Sequence, residues 1–181
     1  MRLFTLALCL SLASLCSRAN AQAHLDTARV YIGVQEFGNN AGPDIERFLA
    51  SVGLRKGNPY CAAFVSFCLN QAGGIEFPTI RTALASRFIT RGSIKASSVL
   101  RGVHPLPGSI VIWKKGNTIF GHAGLVLDWS GKCGQTIEAN TSSGVYGSQR
   151  DGDGVWIRER CITPGSYFRI VSFTPVRYVQ K

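Results

Sequence analysis

A cysteine stands between a turn signal and an apolar run in the segment Asn58-Pro59-Tyr60-Cys61, which precedes the apolar residues 62–69. Asparagine is a favoured N-cap and proline fits the first helical position, so the pattern predicts a helix with Cys61 as its third residue. Unpaired N–H groups and the positive end of the helix dipole favour a thiolate there, and a thiolate attacks carbonyl carbon. The alternative is an inert core residue, because free cysteine is among the most buried residue types. Cys61 alone does not distinguish the two.

A cysteine nucleophile needs a base, and the chain has three histidines. We expect His24 to lie at a frayed N-terminus, and His104 precedes a proline in a loop, so neither is well placed. His122 begins a predicted strand between two small residues, Gly121 and Ala123, which leave room for a helix end and a substrate. His122 is therefore the predicted base.

The next predicted strand carries two polar residues that are candidates to orient the imidazole. Glu138 and Asn140 flank an alanine, and because side chains alternate along a strand, both point to one face. A hairpin would bring that face beside His122, where a third group holds the imidazole tautomer. Taken singly, Glu138 is typical of an exposed strand carboxylate and Asn140 of a turn residue at a strand end. The residues leave open which of the two would hold the imidazole.

The elements that must position these residues change in type along the chain. Helical spacing of apolar residues predicts helices over residues 26–35 and 44–51, a third from Cys61 to the glycines at 73–74, and a weaker fourth over 82–90. Later β-rich runs between glycine turns predict strands over residues 109–114, 122–129, 135–139, 155–160 and 168–173. Helices followed by antiparallel strands predict an α+β fold, with N-terminal helices packed on one side of a C-terminal antiparallel β-sheet.

The N-terminal segment has the pattern of an export signal. Arg2, the apolar stretch over residues 3–15 and the small residues that follow predict a secretory signal peptide over residues 1–23, cleaved after residue 21 or 23. The apolar stretch is shorter than the roughly 20 residues that span a bilayer, so we expect no stable membrane insertion. The protein would be secreted, to the periplasm or the extracellular space, with residues 24–181 forming a single domain.

The charge of the exported chain is strongly positive. Without Arg2 and Arg18 it has 18 basic and 10 acidic residues, a net charge of +8, which favours an anionic partner. The basic residues near Arg87, Arg91 and Lys95 do not alternate with a series of aromatic residues that would stack on bases, so the sequence predicts no nucleic-acid partner.

Four cysteines remain after the predicted cleavage, in a compartment that permits disulfides. Cys61 and Cys68 would lie about 10 Å apart along one helix axis, too far for a disulfide. Cys133 and Cys161 flank neighbouring predicted strands, so we expect a bridge between them, with Cys61 free and Cys68 in the core. The sequence has no histidine and cysteine cluster at metal-ligand spacing, and we expect neither a metal nor another cofactor.

Three segments together resemble the CHAP family, the cysteine- and histidine-dependent amidohydrolases and peptidases of the papain-like superfamily. They are NPYCAAFV at residues 58–65, GHAGLV at 121–126 and IEANT at 137–141, in the family's order and at similar spacing. The resemblance implies a papain-like fold, with Cys61 as the nucleophile, His122 as the base, and Glu138 and Asn140 as polar partners at the site. It also suggests that Tyr60 lines the substrate cleft, with a packing role as the alternative for an aromatic residue there.

The implied activity is cleavage of an amide bond in bacterial peptidoglycan through a thioester, by an N-acetylmuramoyl-L-alanine amidase or a peptide endopeptidase. The expected partner is peptidoglycan or another anionic cell-wall polymer. The chain departs from the family pattern at Ser109, where an acidic residue is common, and at Ala139, where glycine is common; both concern local turn geometry and the subfamily. Alternatives are a non-catalytic wall-binding or inhibitor module, an antibacterial toxin with a cognate immunity or inhibitor protein, and a protein-cleaving peptidase.

Overall fold

The computed structural model describes residues 22–78, 81–143 and 152–179. The predicted signal peptide lies outside these ranges up to residue 21. Among the helices of the described ranges, none has the length and apolar character needed to cross a membrane.

Within residues 22–78, three helices precede the main sheet: α1 (Ala23–Val30), α2 (Pro43–Ala50) and α3 (Cys61–Ala72). Every residue of α3 from Cys61 to Leu69 is buried, as expected for a helix that is covered on all sides. Tyr31, Phe48 and Phe67 join the three helices, with ring centroids 5.0 to 5.5 Å apart. α3 is therefore the central helix of this layer.

The helix predictions hold for α2 and α3 but not throughout. α1 ends at Val30 instead of near residue 35, and the chain then turns at Gly33, whose φ of +92° is left-handed. The weak fourth prediction is a single 3₁₀ turn, Ala85–Phe88. The short helix α4 (Ala96–Val99) was not predicted.

The main sheet has six antiparallel strands in the order β2-β7-β3-β4-β5-β6. These are β2 (Ile94–Lys95), β3 (Ile110–Lys115), β4 (Gly121–Ser130), β5 (Cys133–Thr141), β6 (Gly154–Cys161) and β7 (Phe168–Thr174). A separate pair is formed by β1 (Ile75–Phe77) and β8 (Arg177–Tyr178). The five predicted strands are confirmed as β3 to β7; the other three have two or three residues, too few to show an alternating pattern.

The two faces of the main sheet are covered differently. Ile112, Leu125 and Ile137 belong to the larger core, which they share with α1, α2 and α3. Val111 and Phe173 belong to a smaller core that includes α4. The predicted α+β fold is confirmed, with the correction that α4 packs on the face opposite α3 because its small apolar side chains complete this second core.

His24 is a residue whose predicted environment is wrong. It is buried, with ring Nδ1 2.7 Å from the Tyr178 hydroxyl and Nε2 2.7 Å from the Gly108 carbonyl oxygen. A Cβ at Gly108 would come within 2.9 Å of the ring, so only glycine fits there without a shift. The start of α1 is therefore held by strand β8, instead of being frayed.

The predicted state of the four cysteines is confirmed. Cys133 and Cys161 are directly paired across β5 and β6 and form a disulfide with an S–S distance of 2.08 Å. Cys61 and Cys68 are free and buried. The bridge thus joins β5, the second strand of the β4–β5 hairpin, to the next strand, β6.

Candidate active site

Cys61 lies at the N-terminus of α3, at its first position instead of the predicted third. Tyr60 is the N-cap, and the Asn58 side chain donates to the Arg55 carbonyl at 2.9 Å instead of capping the helix. Pro59 consequently precedes the helix. The sulfur still lies in the first turn, where backbone N–H groups have no partner within the helix and the dipole is positive.

The Cys61 sulfur lies within interaction range of His122 and of the backbone N–H groups of Ala123 and Ala62, which act on the pKa of its thiol. His122 Nε2 lies 2.9 Å from Glu138 Oε2, which leaves Nδ1 for the sulfur. Cys61 is 8% exposed and the His122 side chain 12%, so the pair is nearly but not fully closed off from solvent. The fold therefore places a sulfur beside an imidazole, and the imidazole beside a carboxylate.

The charges of these groups shift their pKa values in opposite directions. Burial alone would raise the pKa of the Cys61 thiol, but the charge and hydrogen bond of His122 and two backbone N–H groups lower it below its usual value. Burial alone would lower the pKa of His122, but Cys61 and Glu138 raise it. The pair therefore favours thiolate and imidazolium, and the two groups titrate together.

Glu138 is 0% exposed, yet its carboxylate has four hydrogen-bond donors. They are His122 Nε2 at 2.9 Å, Thr136 Oγ1 at 2.6 Å, and Arg160 Nε and Nη2, each at 2.7 Å. Burial alone would raise the pKa of this carboxyl, but the bonds from Arg160 and His122 hold it far below its usual range. Glu138 is thus ionised, and it is the one of the two candidates, Glu138 and Asn140, that contacts the imidazole.

Gly124 leaves the space that Glu138 occupies. The two residues are paired across β4 and β5. A Cβ at Gly124 would lie 2.7 Å from Glu138 Cγ and 3.0 Å from the Ile137 carbonyl oxygen. A side chain at this position would force Glu138 or the neighbouring backbone to shift.

Asn140 has a different place in the site. It sits at an irregularity in the β5–β6 pairing with a φ of +56°, a conformation that asparagine tolerates better than most residues. Its Oδ1 accepts a hydrogen bond from the Tyr60 N–H at 3.3 Å, and its Nδ2 donates to Asn40 Oδ1 at 3.0 Å. Asn140 therefore ties the residue before Cys61 to the sheet.

Tyr60 does not line a cleft as expected. Its side chain is fully buried. Burial, and then the nearby Glu36 carboxylate, raise the pKa of the Tyr60 hydroxyl well above its usual value. A side chain with no exposed surface cannot contact a substrate, so the expected substrate-binding role is corrected to one in the core.

Sequence reasoning missed Arg160, near the end of β6. Its guanidinium lies 6.0 Å from the centre of the Trp113 ring, which in turn contacts the His122 ring edge-on at 5.1 Å between centroids. If Glu138 had been predicted to be buried, its carboxylate would have required a nearby cation, and the search for that cation would have pointed to the arginines of the chain. The sequence offered no signal that selects Arg160 over the neighbouring Arg158.

Within the part of the chain that the structure describes, no three histidine, cysteine, aspartate or glutamate side chains are grouped so as to hold a metal ion.

Residues 53–140 match the family model of the CHAP domain. The matched range contains α3 and nearly all of β3 to β5, and with them Cys61, His122, Glu138 and Asn140. No curated protein and no solved structure matches the chain. The family match and the three segments around these residues are consistent with the CHAP family, with the matched CHAP domain lying at residues 53–140 of the chain.

Proposed function

We propose that this protein is a cysteine hydrolase that cleaves an amide bond in bacterial peptidoglycan through a thioester intermediate. CHAP domains are typically amidohydrolases or peptidases that use cysteine and histidine, which supports the reaction class. The observation that carries the proposal is the line of contacts from the Cys61 sulfur to His122 and from His122 to Glu138. A buried thiolate, held beside an imidazolium, is the arrangement that cysteine hydrolysis needs.

The first half of the reaction transfers the acyl group to sulfur. The Cys61 thiolate attacks the amide carbonyl carbon, a C–S bond forms, and the carbonyl oxygen becomes an oxyanion. The backbone N–H of Cys61 is a suitable donor to this oxyanion, because the first residue of a helix has no acceptor within the helix. The His122 imidazolium then gives its proton to the leaving amine, the C–N bond breaks, and a thioester remains.

The second half is hydrolysis of the thioester. Neutral His122 takes a proton from water as the water oxygen attacks the thioester carbon. The C–S bond breaks, the carboxylic acid leaves, and the thiolate and imidazolium are restored. Glu138 fixes the imidazole orientation and stabilises its positive charge in both halves.

The substrate and the location are inferred from charge and from the cysteines. A net charge of +8 after removal of residues 1–23 favours the carboxylates of stem peptides and other anionic wall polymers. The Cys133–Cys161 disulfide is consistent with export to an oxidising compartment. A nucleophile-bearing helix packed on an antiparallel sheet that carries the base supports a papain-like architecture.

The decisive test compares the exported protein with its Cys61→Ser variant on purified peptidoglycan sacculi. We expect soluble fragments from the unmodified protein and none from the variant, with equal thermal unfolding. Mass spectrometry of the fragments separates the two activities: glycans that have lost their peptides identify an amidase, and shortened stem peptides an endopeptidase. Undiminished release by Cys61→Ser would contradict the proposal, and hydrolysis of casein without release from sacculi would indicate a protein-cleaving peptidase.

A further inference from the structure

We propose that Arg160 is a positioning residue of this site, which holds the buried Glu138 carboxylate against His122 and so keeps the Cys61 sulfur reactive. The inference rests on the proposed function for its role in hydrolysis. The contacts that support it, and the reactivity of the sulfur that tests it, do not depend on which substrate is cleaved.

The contact between Arg160 and Glu138 is bidentate. Nε donates to Oε1 and Nη2 to Oε2, each at 2.7 Å. Two parallel N–H···O bonds determine both the position and the plane of a carboxylate, which a single donor does not. Because Oε2 is also the atom that contacts His122 Nε2, the arginine sets the point at which the imidazole is held.

The charges of the site require a second cation. Cys61 as a thiolate and Glu138 as a carboxylate are two anions with almost no access to water. The His122 imidazolium is one cation between them, and burying an unpaired charge is costly. Arg160 makes the group of four neutral. Without it the buried group would carry a net charge of −1, which disfavours the thiolate directly, or disfavours the carboxylate that supports His122.

Neighbouring residues hold Arg160 itself. Its Nη2 donates to Thr141 Oγ1 at 3.1 Å, and its guanidinium lies against Trp113. The next residue, Cys161, is bridged to Cys133 on the strand that carries Glu138. The disulfide therefore joins the arginine strand to the glutamate strand next to Arg160.

The test measures the rate at which iodoacetamide alkylates Cys61, as a function of pH, in the exported protein and in Arg160→Gln and Arg160→Lys. Glutamine removes the charge, so the acid limb should move to higher pH by about one pKa unit, and the rate on that limb should fall about tenfold. Lysine keeps the charge but cannot make two parallel N–H bonds to a carboxylate, so it should restore part of the rate. An unchanged profile in Arg160→Gln would overturn the proposal.

Arg158→Gln is the matched control. Arg158 lies two positions from Arg160 on β6, opposite Thr136, and therefore on the same face of the sheet. Its replacement changes the charge of that face equally but leaves the bidentate contact intact. An equal shift in both variants would mean that net charge alone matters, and would contradict a positioning role.

A double variant shows whether Arg160 acts through Glu138. It also provides a test if the single variant Arg160→Gln does not fold. Glu138→Gln combined with Arg160→Gln removes both buried charges, which is tolerated better than removing one. If the arginine acts through the glutamate, the double variant should alkylate at nearly the rate of Glu138→Gln alone. An additive loss would overturn the inference. Normal alkylation shifts with no hydrolysis of sacculi would instead contradict the proposed function and leave the positioning role supported.

Discussion

The first turn and the middle of α3 each hold a buried, free cysteine, and the two are predicted to behave in opposite ways. At Cys61, His122 and two backbone N–H groups outweigh burial and lower the pKa of the thiol. At Cys68, burial raises the pKa of the thiol well above its usual value. The comparison teaches that burial does not by itself make a cysteine inert; the donors around the sulfur decide its state.

Helix geometry explains one of these donors, the Ala62 N–H, whereas His122 and the Ala123 N–H belong to β4. The first N–H groups of a helix have no acceptor within it, whereas those in the middle are bonded to the preceding turn. Cys61, as the first residue of α3, therefore lies among free donors and opposite the sheet that carries His122. Cys68 is surrounded by the larger apolar core.

His24 and His122 differ for a related reason. The ring partners of His24 are neutral, the Tyr178 hydroxyl and the Gly108 carbonyl, and burial lowers the pKa of His24 below its usual value. His122 lies between two anions, which raise its pKa in spite of burial. Only the second histidine is poised to carry a proton as an imidazolium.

The largest expected difference between the two cysteines is in catalysis. Cys61→Ser should lower the rate of fragment release from sacculi by at least about 10³-fold, because the neighbouring histidine does not ionise a serine hydroxyl as it does a thiol. Cys68→Ala should retain most of the activity. A folded Cys68→Ala variant that is as inactive as Cys61→Ser would break the comparison.

The next difference is in the pH dependence of alkylation. Because its pKa is lowered, Cys61 should remain a thiolate, and react with iodoacetamide, at pH values below the ordinary thiol pKa of about 8.5. The rate should fall only when the pH drops below the lowered pKa of the Cys61–His122 pair. Cys68 should react about 10²-fold more slowly or not at all until the protein is unfolded. Peptide mapping by mass spectrometry measures both rates, and equal labelling of the two would contradict the assignment.

A smaller effect is expected from Gly124→Ala, which tests whether the state of Cys61 depends on Glu138. The added Cβ would meet Glu138 Cγ at 2.7 Å and push the carboxylate from His122. We expect about a tenfold loss of Cys61 alkylation at acidic pH, since the imidazolium loses a hydrogen-bonded anion. The control is Gly124→Ala introduced into the Glu138→Gln variant, where it should cause little further loss of alkylation. A full tenfold loss in that background would assign the effect to the backbone instead.

The smallest effect concerns stability at Cys68. Cys68→Ala should lower the free energy of unfolding by about 1 kcal/mol, through lost packing. Cys68→Ser should lower it further, because a hydroxyl would be buried among apolar side chains. Urea unfolding followed by fluorescence measures both. A serine variant more stable than the alanine variant would show that this site is more polar than its surroundings indicate.

Much of the fold could be predicted because the patterns involved are local. Strands β3 to β7 alternate or run apolar between glycine turns, and the apolar run after Cys61 marks α3. The short strands, the end of α1 and the burial of His24 could not be predicted, since each depends on a partner far along the chain: β1 pairs with β8, and His24 with Tyr178.

The candidate site was predicted in part for the same reason. Cys61, His122 and Glu138 stand out by residue type, order and spacing along the chain. The role of Asn140 as a partner of the Tyr60 N–H, and the burial of Tyr60, follow from packing that no local pattern records.

The sequence by itself determined which side chains can react and on which elements they lie, because helix and strand periodicity is written in neighbouring residues. Only the tertiary structure decided their charges. The Cys61 sulfur favours the thiolate because His122 on β4 lies beside it, and Glu138 is ionised away from solvent because Arg160 on β6 and His122 donate to it. The strength of such interactions depends on distance and burial.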